Sequence, residues 1–361
     1  MFSYKKFIHL FVLFFTVFLL YHFTIWELYT SQIFGRKDNL YVGDLGRTSY
    51  QVDSLYPRAL EYTLPKRHLS RADFHGQKID MITMGDSFAN ADTGGKNPYF
   101  QDYIATDYNL TILNMRREPM NEYNSYNFVL YLYNSGWLQK HRPKYILIQS
   151  VGRFIYGRYA RKFDFSFHKK PKYFIELLKK ENSYLPKLKL INTANYKFFT
   201  SKLYYRFKGV YKSVYLLDLN TSLFSPQKFQ NKLLITKEDI SGISNAPSQA
   251  ELVNENFNKL ARLLKKLDIK LIFFPAIDKY DLYEPYITNN KLPKNNFFKN
   301  IRPLYKEYYF VDTKKILRKA LQRGDQDIFY PDDTHWSYKA SALIAKEMNN
   351  IFNAKKSLHE Y

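Results

Sequence analysis

Two short stretches of this sequence hold the residue types of acyl-transfer chemistry. The first, MITMGDSFAN (81–90), ends an apolar run on Gly85, Asp86 and Ser87. The second, FYPDDTHWSYKASALIA (329–345), holds His335 behind Asp332 and Asp333. A serine hydroxyl is a weak nucleophile near neutral pH unless a neighbouring base takes its proton. Histidine, with a pKa close to neutral, suits that role. A carboxylate on the second imidazole nitrogen fixes the tautomer and stabilises the imidazolium that forms. Asp332 and Asp333 are both spaced to supply it, and the choice between them stays open. Of the 8 histidines, His9 and His22 sit in the apolar N-terminus and His359 near the C-terminus. His68, His75, His141 and His168 stand in plain polar or basic settings, which leaves His335. Gly, Asp and Ser are also the ordinary residues of turns, so the chemistry depends on the two stretches meeting in space.

The elements between them must bring that about. KIDMITM (78–84) reads as a buried strand, NPYFQDYIATDY (97–108) as a helix, and NLTILNM (109–115) as a second strand. Residues 121–141 read as a longer helix, followed by a third strand over 143–151. A helix over 248–268 has Leu252, Phe257, Leu260, Leu263, Leu264 and Leu267 near helical spacing. Residues 269–277 make a fourth strand, and 308–317 hold a short fifth. The chain closes as a helix over 337–352, with Ser337 at its N-cap. Such alternation predicts an α/β fold: a three-layer, doubly wound, mostly parallel sheet covered on both faces. In such sheets the functional crevice lies at the carboxyl ends of the strands. Ser87 follows the first of them, and the His335 loop is expected to open at the same edge. Residues 154–246, rich in Lys, Tyr, Phe and Asn, break the rhythm and are expected to be an insertion with its own helices and a hairpin. The expected layout is a cytoplasmic tip and membrane anchor over 1–29 and a linker and lead-in over 30–76. The catalytic domain takes 77–153 and 247–353, and the insertion 154–246 is a possible acceptor-binding unit.

Composition narrows the class. Of 361 residues 45% are hydrophobic, enough for a core, and the net charge is +22. That surplus favours anionic surroundings such as membrane surfaces or acidic glycans. No zinc-finger or RRM signature accompanies it, so nucleic acid is not an expected partner. There are no cysteines, which excludes disulfides and thiolate metal sites. From Phe7 to Trp26 the chain carries no Asp, Glu, Lys or Arg, and as a helix it would cross the roughly 30 Å of a bilayer's hydrocarbon core. Lys5 and Lys6 precede the span and Glu27 follows it, and no small-residue cleavage site is evident. The expectation is an uncleaved signal anchor, single-pass in the cytoplasmic (inner) membrane, with its N-terminus in the cytoplasm and the catalytic domain in the periplasm.

Gly85-Asp86-Ser87-Phe88 and Asp333-Thr334-His335-Trp336 together resemble the SGNH, or GDSL, hydrolase superfamily. The likeness is nearer to its membrane-anchored glycan O-acetyltransferase branch, of the alginate O-acetyltransferase type, with its GDSF and D-x-H-W elements. PKYILIQSVGR, ending in Arg153, and FFPAIDKYDLY, with Lys279 and Tyr283, are similar to further strands of that branch. The resemblance covers most of 78–152 and 248–350. The serine-first order is that of ordinary SGNH esterases; Asp333 fits D-x-H-W and Asp332 fits D-x-x-H. The resemblance implies Ser87 as nucleophile, His335 as base and Asp333 or Asp332 as its orienting acid. Gly95 and Asn97 in TGGKNPYF are candidate oxyanion donors, and Arg153 could support that hole or fix a carboxylate. It also implies an acetyl group passed to a glycan hydroxyl, an integral membrane acyltransferase partner that brings acetyl groups across the bilayer, and no cofactor or metal. An O-acetyl esterase with the same triad is the first alternative. A non-catalytic glycan-binding or assembly protein is the second, and a metal-dependent hydrolase using Asp86, Asp332, Asp333 and His335 is a further rival.

Overall fold

Five of the apolar runs pair into one sheet. The computed structural model describes residues 4–31, 40–49, 56, 58–90, 93–115, 125–167, 190–208, 213–241, 243 and 246–353. The sheet strands are β3 (Met81–Met84), β4 (Ile112–Asn114), β5 (Tyr145–Val151), β8 (Lys270–Ala276) and β9 (Tyr309–Phe310). Their order is β4-β3-β5-β8-β9, and every neighbouring pair is parallel. All residues of β3, β4 and β5 are buried, as is β8 from Leu271 onward. Because successive side chains point to opposite faces, such continuous burial means that both faces are covered. The chain leaves β3 for β4 on one side and returns to β5 on the other. The order therefore reverses between β3 and β5, where a parallel sheet opens a crevice at its carboxyl edge.

Of the helices, α1 (Tyr4–Ile25) continues through a π-helical turn to Thr30 and is long and apolar enough to cross a membrane. A short strand pair, β1 (Leu40–Tyr41) with β2 (Arg58–Ala59), brackets α2 (Asp44–Ser49). Then come α3 (Ser87–Asn90), α4 (Phe100–Tyr108), α5 (Ser125–Asn134) and α6 (Thr193–Lys208). The antiparallel pair β6 (Val214–Asp218) and β7 (Lys232–Thr236) follows, and its Val214, Leu233, Leu234 and Ile235 join the main hydrophobic core. The C-terminal half adds α7 (Pro247–Lys265), α8 (Lys279–Tyr283), α9 (Thr313–Gln322) and α10 (Tyr338–Glu347).

Two local readings change. The helix expected over 121–141 breaks at Gly136, whose φ of +78° suits glycine, and resumes at Trp137; residues 121–124 lie outside the described set. The stretch after the fifth strand is a helix, α9, whose N-cap Asp312 accepts from the Lys315 N–H at 2.9 Å. Ser337 caps α10, its hydroxyl accepting from Lys339 N–H at 3.2 Å.

Candidate active site

The end of β3 leaves no room for a side chain at position 85. A Cβ on Gly85 would stand 2.2 Å from Gln149 Oε1 and 2.8 Å from Ala89 Cβ. The chain can therefore turn tightly beside β5, and the Asp86 N–H donates to Gln149 Oε1 at 2.9 Å. Asp86 clamps the two strands together. Its carboxylate accepts from Val151 N–H at 2.8 Å, Arg158 Nη1 at 2.6 Å and Phe88 N–H at 3.3 Å. Burial pushes its pKa up, but Arg158 and these donors outweigh that and hold it below the usual carboxylate value. From behind, Gln101 and Asn114 both donate to the Ala89 carbonyl, at 3.0 and 2.9 Å. Ser87, the first residue of α3, is thus fixed by the sheet on one side and by these two amides on the other.

The loop before α10 meets it. His335 Nε2 lies 2.7 Å from Ser87 Oγ, and His335 Nδ1 lies 2.6 Å from Asp333 Oδ1. An ionised carboxylate only accepts, so Nδ1 carries the proton and Nε2 is left to accept from the serine hydroxyl. Phe88 seats the imidazole: its ring centroid is 4.6 Å from His335 and 4.7 Å from Trp336. The aromatic residues that follow the serine and the histidine in sequence therefore pack against each other.

The two neighbouring carboxylates take different partners. Asp332 accepts from Arg58 Nη1 at 2.9 Å, Gly43 N–H at 3.0 Å and Tyr56 N–H at 2.8 Å, and its carbonyl accepts from Leu45 and Gly46. Asp333 takes the histidine, and its second oxygen accepts from Arg58 Nη2 at 2.6 Å. Arg58 so holds both, with its guanidinium 3.9 Å from the Tyr330 ring centroid. Burial pushes Asp332 up despite Arg58. For Asp333 burial also pushes upward, but His335 and Arg58 prevail and hold it well below the carboxylate range. A depressed folded value gives stability that is complete above the unfolded pKa of about 3.9 and is lost as pH falls through the folded one. Asp333→Asn is therefore expected to melt below wild type above about pH 5, with the gap closing as the pH falls below about 4. A gap that persists undiminished at about pH 2 would contradict this assignment of charge.

Lys279 holds the loop from beneath. It is fully buried, and its Nζ donates to the carbonyls of Tyr330, Pro331 and Asp333 at 2.8, 2.8 and 3.0 Å. Burial pulls its pKa down to about 8, against the attraction of Asp332 and Asp333. One turn on, Tyr283 accepts from the Phe329 N–H at 3.2 Å. On the outer side Asp44 accepts from the Thr334 N–H at 2.7 Å and lies 3.8 Å from His335 Nδ1.

Asn97 and Arg153 are engaged elsewhere, and Gly95 is held through its carbonyl. Gly95 has φ +82° and accepts from the Glu61 N–H at 3.2 Å, packed so closely on Tyr330 that a Cβ would stand 2.4 Å from its hydroxyl. Asn97 spends its N–H on Glu61 O at 2.7 Å and its side-chain amide on Thr63 Oγ1 at 2.7 Å. Arg153 Nη1 is bound by Asp239 at 3.0 Å and Asp278 at 2.5 Å. As the first residue of α3, Ser87 has no intrahelical acceptor for its own N–H. Asp86 and Asp332 are likewise committed to protein donors, so they do not join Asp333 and His335 as a metal-ligand set. Asp44, Asp333 and His335 do place ligand atoms within 4.8 Å of one another, but a cation there would have to displace the hydrogen bond between His335 Nδ1 and Asp333.

Arg58 and Asp44 belong to the expected lead-in, which the sequence does not mark as part of the site. Neither YPRAL nor VGDLG carries a motif that marks them. Only the resemblance marks Lys279, although FFPAID and YDLY enclose it in an apolar frame. No protein-family model, curated protein or solved structure matches the chain.

Proposed function

We propose that this protein is a membrane-anchored serine acyltransferase of SGNH type that moves an acetyl group to a glycan hydroxyl. One observation carries the reading: Ser87 Oγ, His335 Nε2, His335 Nδ1 and Asp333 Oδ1 form a continuous hydrogen-bonded chain at 2.7 and 2.6 Å. In the first half-reaction Ser87 Oγ attacks the acyl carbonyl carbon while His335 takes the hydroxyl proton. Asp333 balances the imidazolium charge. The tetrahedral intermediate collapses, the bond to the donor's leaving oxygen breaks, and His335 returns the proton to that oxygen. The acyl-serine then meets a sugar hydroxyl, which loses its proton to His335 and attacks the ester carbon; the bond to Ser87 Oγ breaks and His335 returns the proton to that oxygen. Ser87's own N–H at the start of α3 is a candidate donor to the developing oxyanion.

The remaining elements are read in the same light. The helix α1 anchors the domain, with the catalytic part on the periplasmic side, where an integral membrane acyltransferase delivers acetyl groups. Residues 77–153 and 247–353 form the catalytic domain, and 154–246 form an insertion. If water replaces the sugar at the second step, the same groups make an O-acetyl esterase. Surface glycans from wild-type and Ser87→Ala cells, compared by NMR, separate the outcomes. Lost O-acetyl signals are expected; gained signals would make the protein an esterase. Unchanged glycans, together with a Ser87 that a fluorophosphonate probe leaves unlabelled, would overturn both in favour of a non-catalytic role.

A further inference from the structure

The helix α6 is apolar on two opposite sides. One side packs inward: Ala194, Phe198 and Ser201 are buried, and Tyr205 packs on the main core. On the other, Tyr196, Phe199, Leu203 and Phe207 are 47%, 52%, 58% and 75% exposed. Their spacing of three, four and four residues lines them along one face. Four large apolar side chains in a row facing water is unusual for a soluble surface. Arg206 borders this stripe, and Lys197 and Lys208 are exposed on the flank between it and the inward face.

The place of α6 says what covers the stripe. It docks on the C-terminal end of α1 through a polar knot. Asn195 Nδ2 and His22 Nδ1 are 2.7 Å apart, His22 Nε2 and Tyr196 OH are 2.9 Å apart, and Thr30 Oγ1 donates to Asn195 Oδ1 at 2.6 Å. Ile25, Ala194 and Phe198 make a small buried cluster beside it. The crossing has a direction. Tyr21 stacks on Tyr196 and Phe199, at 5.5 and 6.0 Å, whereas Tyr29 stacks on Phe198 at 4.1 Å. The stripe thus lies on the side of α6 nearer the apolar body of α1, and the inward face lies nearer the end where α1 meets the domain. It continues the exposed apolar surface of α1, of which Leu20 and Phe23 are 58% and 55% exposed.

We infer that α6 is an in-plane membrane helix. It lies at the boundary between headgroups and acyl chains, with Tyr196, Phe199, Leu203 and Phe207 directed into the bilayer and Lys197, Arg206 and Lys208 among anionic headgroups. The inference rests on the reading of α1 as a membrane anchor. Together α1 and α6 make two contacts that do not share an axis, so the catalytic domain is held at a set tilt to the membrane instead of swinging on a single tether. Part of the 154–246 insertion then serves orientation rather than acceptor binding.

The absence of cysteine makes the test direct. Single-cysteine variants Leu203→Cys and Phe207→Cys of the full chain are spin-labelled and reconstituted into bilayers of phosphatidylcholine and phosphatidylglycerol. Collision with oxygen, which concentrates in lipid, is compared with collision with a water-soluble nickel chelate. Phe14→Cys reports on α1, and Lys294→Cys, on a side chain 76% exposed, gives the aqueous reference. Labels at 203 and 207 are expected to be oxygen-accessible and several-fold less accessible to nickel than the label at 294. Nickel access equal to that at 294, with the label at 14 in lipid, overturns the in-plane helix and leaves the anchor standing. Shielding of 203 and 207 from both reagents also overturns it, since a protein surface then covers the stripe. A lipid signal at 203 and 207 without one at 14 removes the anchor, and with it the paired arrangement of α1 and α6 inferred here. Aqueous signals at all three positions overturn both readings.

Discussion

Ser87→Ala is expected to lower the turnover of an acetyl ester by roughly 10⁴- to 10⁶-fold, the scale seen when the nucleophile of a serine triad is removed. The fold should survive. Ser87 is only partly buried, and its hydroxyl makes one hydrogen bond among the described residues, to His335 Nε2. Its neighbours hold the turn without it: Val151 and Arg158 donate to the Asp86 carboxylate, and the Asp86 N–H donates to Gln149. The variant should therefore melt within a degree or two of wild type, a small change for a lost surface-facing hydroxyl. Incubation with an activated acetyl ester should leave wild type, but not the variant, with an acetyl group on the peptide that contains residue 87. Turnover retained to within about tenfold, a difference of 1.4 kcal/mol in barrier, would remove Ser87 from the chemistry.

Lys279→Met is expected to give the largest loss from a residue that touches no substrate. Methionine matches the length of the lysine stem but donates nothing. The carbonyls of Tyr330, Pro331 and Asp333 then lose this donor, and Tyr330 keeps the Asp333 N–H at 3.3 Å. Leaving a buried acceptor without its charged donor costs about 1–3 kcal/mol each, so about 3–5 kcal/mol in all is expected, on the order of 5–10 °C in melting temperature. The same loop carries His335 and Asp333, so a shift of about 1 Å would also cost about 10²-fold in rate. That second effect distinguishes a positioning residue from a purely structural one. Measured well below the melting point, kcat should fall while KM stays near wild type, and labelling by a fluorophosphonate should slow in parallel. Lys294→Met, on an exposed side chain, serves as control. A variant that is destabilised yet reacts at the wild-type rate while folded would show that the lysine holds the loop without tuning the site.

Much of the frame was legible in the sequence because it follows local rules. Runs such as KIDMITM and PKYILIQSV are short, apolar and bounded by polar or turn residues, so they read as buried strands from residue type alone. Gly85, Asp86 and Ser87 could be placed at a strand end because a parallel sheet keeps its crevice there. His335 stood apart because no other histidine follows paired carboxylates. The residues that were not legible act across distance. Arg58 reaches Asp332 and Asp333 from a segment that reads as a lead-in, and Asn97 is tied to Thr63 in that same segment. Asn97 looks like an oxyanion donor when only its order after Ser87 is considered, yet most of its hydrogen-bond partners lie before Ser87 in the chain, at residues 61–64.

What the sequence by itself determined was therefore the inventory: an apolar N-terminal helix, an alternating α/β frame, and a serine, a histidine and two candidate acids at the right kind of positions. Those depend on hydrophobic period, turn chemistry and side-chain type, which are properties of neighbouring residues. Only the tertiary structure decided which acid meets the histidine. Asp332 and Asp333 are chemically identical and adjacent, and they are told apart by what surrounds them. One faces Gly43, Tyr56 and Arg58, the other His335 and Arg58. The same holds for Lys279, whose role comes from three carbonyls more than fifty positions away in the chain. Direction and partner are set by packing between distant segments, and no local pattern encodes them.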